Sequence, residues 1–169
     1  IHGLDAVILN PSNVIGIHDH HGWGRMMKLV ARGELPFAPD GAGSFCDVEE
    51  VAKAHVAALT KGRKGQNYLL GGSEASYDLF VQMIYHYLGK PSPLKVAPRW
   101  FLQVISRILD AVSRITRKEP DITPEAVAIT CHPWICTYAR AEKELGFKPR
   151  PLQEMVRDTL AWMKAEKII

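Results

Sequence analysis

Asp5-Ala6-Val7-Ile8-Leu9-Asn10-Pro11-Ser12-Asn13-Val14-Ile15-Gly16 is the stretch whose reading decides the fold. Four apolar residues, Ala6 to Leu9, run into Asn, Pro, Ser and Asn. A short apolar run bounded by turn formers reads as a strand buried on both faces. Pro11 has no N–H for a sheet ladder, so the strand stops there. In open α/β sheets ligands bind beyond the carboxyl ends of the strands. The turn Pro11-Ser12-Asn13-Val14 is therefore a candidate binding edge, although Asn and Ser also make purely local turn bonds.

Outward from this strand, short apolar runs alternate with helical periodicities. Helices are expected over 25–33, stopped by Gly33, and over 48–61, capped by Asp47 with Glu50 at the capping-box position. Val48, Val51, Ala52, His55, Val56 and Leu59 would share the apolar face of the second, with His55 read as structural. Strands are expected at 44–46 and 67–70, and extended segments at 35–39 and 94–96. Ser76 caps a helix over 77–88. Pro98 opens the longest one, to about residue 117, with Phe101, Val104, Ile105, Ile108, Leu109, Val112 and Ile115 as its inner set. Thr123-Pro124 starts another helix. Residues 135–137 read as extended and 139–145 as a helix ended by Gly146. The last helix follows Pro151, with Leu152, Met155, Val156, Thr159, Leu160 and Met163 facing inward. Alternating strands and helices argue an α/β class, followed by a mostly helical lobe.

The 169 residues, 47% hydrophobic, are enough for one globular core. A net charge of +3 with both signs mixed does not imply nucleic acid. Arg99, Arg107, Arg114, Arg117 and Lys118 decorate the long helix. Their spread favours a solvated face over a membrane-surface one, so no membrane partner is expected. No run reaches the ~18 apolar residues of a membrane span. Three cysteines without a Cys-x-x-Cys pair suit a reducing, cytoplasmic setting. The chain opens on Ile1-His2-Gly3 and enters a strand almost at once, which reads as a piece of a longer protein.

Three segments carry a resemblance. Residues 7–16 resemble the strand-to-loop motif of the extended short-chain dehydrogenases/reductases. Residues 45–59, Phe-Cys-Asp-Val-Glu-Glu-Val-Ala-Lys-Ala-His-Val-Ala-Ala-Leu, resemble that family's strand-then-helix signature. Residues 138–152, Tyr-Ala-Arg-Ala-Glu-Lys-Glu-Leu-Gly-Phe-Lys-Pro-Arg-Pro-Leu, resemble its last helix, turn and proline. The similarity is to the dihydroflavonol-reductase-like branch of the NAD-dependent epimerase/dehydratase superfamily. It implies the carboxyl-terminal half of a Rossmann-type enzyme: the last sheet strands plus an α-rich substrate lobe. Residues 1–72 would hold terminal Rossmann elements with inserted lobe segments, and 73–169 the lobe. The cofactor implied is NAD or NADP, in the parent enzyme.

The dinucleotide fingerprint is not in the chain: Gly22-x-Gly24 and Gly41-x-Gly43 lack a third glycine. None of the five tyrosines has a lysine four residues later, so the family's Tyr-x-x-x-Lys general acid is not here either. No catalytic residue is assigned, and the isolated chain is expected to be inactive. The resemblance places Pro11, Ser12, Asn13 and Val14 at the nicotinamide end of the cofactor, and Asn13, His18, Met26 and Phe45 beside the substrate. The cluster His18-Asp19-His20-His21 has metal-ligand chemistry. The family needs no metal, so the cluster is read as a loop at the substrate mouth. Nucleotide-sugar epimerases commonly carry Arg-Asp where this chain has Gly43-Ser44-Phe45, which favours an uncharged ketone or alcohol. The expected partners are a small-molecule substrate and the missing amino-terminal half or another copy of the chain. The alternative is a non-enzymatic module that oligomerises or binds a protein, because strands 6–9 and 67–70 would lack neighbours.

Overall fold

The computed structural model describes residues 3–35, 37–93, 95–116 and 123–169. Pro36, Leu94, Arg117, Lys118 and the side chain of Ile115 lie outside that description. In order, the elements are β1 (Ile8–Pro11), β2 (Asn13–Ile15), α1 (Trp23–Arg32), β3 (Ala38–Pro39), β4 (Ala42–Asp47), α2 (Val48–Lys61), β5 (Asn67–Leu70) and β6 (Ser73–Ser76). They continue with α3 (Tyr77–Tyr87), β7 (Val96–Ala97), α4 (Arg99–Thr116), α5 (Pro124–Thr130), β8 (Pro133–Trp134), α6 (Ala139–Leu145) and α7 (Leu152–Ala165).

The opening stretch serves two sheets. β1 pairs in parallel with β5, whereas β2 pairs in parallel with β4. β4 also takes β6 antiparallel and β8 parallel. The chain changes sheets at Ser12, whose N–H still donates to the Leu70 carbonyl at 3.1 Å. A small parallel pair, β3 with β7, stands apart. β1 is not buried on both faces as its apolar run suggests. Ile8 is 51% exposed, because β5 is the one described strand beside β1 and covers a single edge.

Helix ends follow the sequence chemistry. Gly33 takes φ 73° and its N–H closes onto the Leu29 and Val30 carbonyls, ending α1. Asp47 accepts from the Glu49 and Glu50 amides at the start of α2. Glu50 does not reach back to close a capping box; its carboxylate meets Lys53 at 2.7 Å. Ser76 caps α3 and Thr123 caps α5, with Pro124 in the first turn. Gly72 touches the Phe45 carbonyl so closely that a Cβ would overlap it, which lets the β5–β6 turn lie on β4.

Three cores result. The largest packs Ile15 and Phe45 against α1, α3 and the whole inward set of α7. The second packs Val51, Ala54 and Ala58 of α2 with Tyr68, Leu70 and the α6 residues Ala141 and Leu145. The third joins α4, α5 and β7 through Leu102, Val127, Cys131 and Ala97.

Two expected apolar faces turn out differently. On α2, Ala52, His55, Val56 and Leu59 are exposed, Leu59 by 85%. The helix instead rests on the Val51-Ala54-Ala58 side, the one that faces β4 and β5. His55 Nδ1 lies 2.8 Å from the Val51 carbonyl oxygen of its own helix. On α4, Val104, Ile108 and Val112 are exposed, because the helix sits on α5 through Leu102 and Ser106.

Candidate active site

The turn after β1 is where the sequence places a ligand edge, and its four residues do different things. Pro11 is exposed. Ser12 Oγ is buried without a well-formed hydrogen bond, although it lies against the Cys46 thiol. Burial pushes that thiol up from its ordinary value, and Ser12 opposes the rise. The Asn13 side chain hydrogen-bonds the Tyr77 hydroxyl. Burial also raises the Tyr77 phenol, with Asn13 working against it. Val14 packs partly buried against the second core.

Tyr77 passes this anchoring on. Its ring stacks on Trp23 with centroids 5.1 Å apart, and Trp23 opens α1. The exposed side of α1 carries Arg25, Met26 and Leu29 into a cavity of about 230 Å³. Leu35, Phe37, Leu102 and Val127 complete its apolar wall. Ligand sites for drug-sized molecules span about 300–1,000 Å³, so this cavity suits one end of a larger molecule.

The loop before α1 is built around one carboxylate. Asp19 accepts from the amides of Gly22 and Gly24, each at 2.7 Å, and of His21 at 3.1 Å. The carboxylate that could have joined the histidines is thereby engaged with the backbone. His18, in the left-handed region at φ 66°, and His20 set their rings edge-on against Trp162 of α7 at 5.3 and 5.4 Å. No group of three or more metal-ligating side chains occurs among the described residues.

Of the residues named for substrate contact, Met26 lines the cavity. His18 lies at the α7 side of the loop, and Asn13 is committed to Tyr77. Phe45 is corrected outright: it is fully buried, stacked on Phe80 at 5.1 Å and edge-on to Trp23, and offers a ligand no surface. Alternation along β4 explains it, since Phe45 points into the main core while Cys46 points into the second one. Sequence reasoning missed Leu102 and Val127, which meet at the cavity because α4 packs on α5. It also missed Arg150, a lone cation between Pro149 and Pro151. Its guanidinium joins Asp47 at 2.8 Å, Glu154 at 3.4 Å and Asp158 at 2.6 Å.

Parallel pairing of β1 with β5 and of β2 with β4, with helices packed on these strands, gives a mixed α/β chain like the Rossmann-type structures it resembles. Residues 1–71 match the NAD dependent epimerase/dehydratase family. The sterol demethylase protein B of Methylococcus capsulatus is 25% identical over 173 residues, 100% of this chain and 53% of that protein. The sterol-4-alpha-carboxylate 3-dehydrogenase ERG26 of Saccharomyces cerevisiae is 43% identical over 179 residues, 94% of this chain and 49% of the relative. The crystal structure of gox2253 superposes with a TM-score of 0.76 at 28% identity, over 95% of this chain and 49% of that one. Residues 1–71 carry the epimerase/dehydratase match, and the chain as a whole is similar to enzymes of that kind. It spans about half the length of the curated relatives it matches.

Proposed function

We propose that this chain is the carboxyl-terminal, substrate-facing portion of an NAD(P)-dependent oxidoreductase acting at a hydroxyl or carbonyl carbon of an apolar substrate. The observation that carries the reading is the cavity between α1, α4 and α5. Met26, Leu29, Leu35, Phe37, Leu102 and Val127 face it. Such walls favour a hydrocarbon framework and exclude water from its reactive end. The sterol dehydrogenase name of the yeast relative agrees with that substrate class.

The turn after β1 fits the nicotinamide end of the cofactor. Ser12 Oγ, buried beside the Cys46 thiol, is the polar atom of this turn that an amide would meet, and Pro11 brings no competing N–H. When bound, the cofactor supplies the hydride acceptor or donor. The chain's own residues bind and orient. Asn13, through Tyr77 and Trp23, holds the first turn of α1 and hence the cavity wall. Ser12 offers a hydroxyl, and the apolar side chains fix one end of the substrate. The general acid and the pyrophosphate-cradling turn belong to the half this chain does not match.

The test is turnover by the natural longer protein with NAD or NADP. Hydrophobic secondary alcohols or ketones are expected to be substrates, and Val127→Glu should raise KM at least about tenfold, the cost of one charge in an apolar wall. Turnover of nucleotide-diphosphate sugars alone would overturn the substrate class. The 169-residue chain by itself is expected to bind NAD(P) weakly, because it has no glycine-rich turn at a helix N-terminus. A second reading, a module that oligomerises or binds a protein, draws on the exposure of Leu4, Ile8, Val56 and Leu59. A monodisperse monomer with no redox activity in the longer protein would leave neither reading standing.

A further inference from the structure

The cavity beside α1 has a closed end, and that end is built from a different core than its side. Pro39, Leu102 and Val127 line it and are buried, Leu102 at 5% and Val127 at 3% exposure. Leu102 and Val127 also pack with Ala97 and Cys131 in the third core. Met26, on the side wall, is half-buried and packs against the main core. The cavity therefore lies between two cores, walled by one and floored by the other.

The two surfaces differ in stiffness. Met26 is unbranched, with three rotatable bonds, and adapts to the outline of what it meets. Val127 stands on α5, where a β-branched side chain keeps one main rotamer. Packed core lies behind Val127 and Leu102, and Phe37 of the same cavity is held edge-on by Phe101 at 5.4 Å. Close-packed side chains do not yield to an added methylene without strain. Thr130, also in the lining, donates its hydroxyl to the Ala126 carbonyl of its own helix at 2.7 Å. The floor thus has no hydroxyl to offer, and such an end recognises a ligand by size.

We propose that Leu102 and Val127 form a rigid floor that measures the hydrocarbon end of the substrate. The inference rests on the apolar-substrate reading above and adds which residues set the length. At roughly 30 Å³ for a water-sized group, a cavity of about 230 Å³ holds an apolar end of about eight carbons. Shorter ends leave wall atoms without contacts. Longer ones run into Val127 and Leu102.

The test uses the natural longer protein and two unbranched series. n-Alkanols of increasing length report filling of the cavity through the rise in Tm, whether or not they react. Methyl n-alkyl ketones with NADH or NADPH report turnover. Each methylene that enters should tighten binding by about fourfold, up to a break where the chain reaches the floor. Val127→Ala and Leu102→Val should move that break to longer chains by about one or two carbons, and Val127→Ile should move it to shorter ones. Val127→Ile keeps the floor filled, so it decides the matter even where a truncated variant does not fold. No break, or a break that stays in place in the folded variants, would overturn the gauge, even with ketones turned over. An alkanol break that moves while no ketone is reduced would uphold the gauge and overturn the reaction proposed above.

Discussion

Asp47 shows how much one side chain can tie together. It caps α2 and meets Arg150 from a distant turn, and it is only 3% exposed. Removing it leaves two amides and a half-buried guanidinium without their partner. Asp47→Ala should lose roughly 2–4 kcal/mol in urea denaturation, a cap plus part of a buried pair. A loss within error of zero would mean that neither contact matters to folding. Arg150, and after it Arg157, holds the Asp158 carboxyl below its ordinary 3.8. A folded-state value below the unfolded one stabilises at neutral pH. That contribution is whole above about pH 4 and fades as pH falls through the folded value. Asp158→Asn should therefore flatten the acid limb of Tm against pH, modestly, since the site is well exposed. Much of this was legible: Asp47 reads as a cap in the sequence. Its tie to Arg150, 103 residues on, is a tertiary fact that no local pattern carries.

Among elements, α7 and α4 mark the limits of periodicity. Each inward residue expected on α7 is buried, because that helix fills a groove between α3 and the main sheet and has one apolar face to offer. Helix α4 offers more apolar surface than one neighbour can cover. Periodicity locates such a surface but not the part of it that the fold uses. The prediction is a contrast within one helix. Leu102→Ala should lose about 2–4 kcal/mol, whereas Val104→Ser should change stability by less than about 0.5 kcal/mol. The two unfolding free energies measured side by side check it. Equal losses would mean that α4 is covered on both sides. The same limit applies to Phe45, whose place in a family motif says where the strand runs but not which of its faces is core.

At the scale of the molecule, the uncovered edge of β1 and the exposed side of α2 point the same way as the half-length match to relatives. Leu59, 85% exposed here, reads as interface waiting for cover. Leu59→Ser should be nearly neutral in this chain and should destabilise the longer protein by about 1–3 kcal/mol. Equal effects in both would place the missing half elsewhere. The overall class and the strands were legible because they rest on local apolar runs and turn residues. The cavity was not, because its walls come from α1, α4 and α5, far apart in sequence.

The packing of α6 against α2 and β5 also sets a timetable. Leu145 and Phe147 help to bury Tyr68 and Leu70, the partners of the first strand. A nascent chain emerging at about 5–20 residues per second makes β1 well before α6, which follows it by roughly 130 residues. It cannot seal the core beneath that strand until its closing helices leave the ribosome. Until then Tyr68 and Leu70 lie uncovered, and apolar strand surface of this kind recruits wrong partners. Synthesis of this protein should thus depend on holding chaperones up to a late and definable point, and a chain stopped at residue 138 should never escape them.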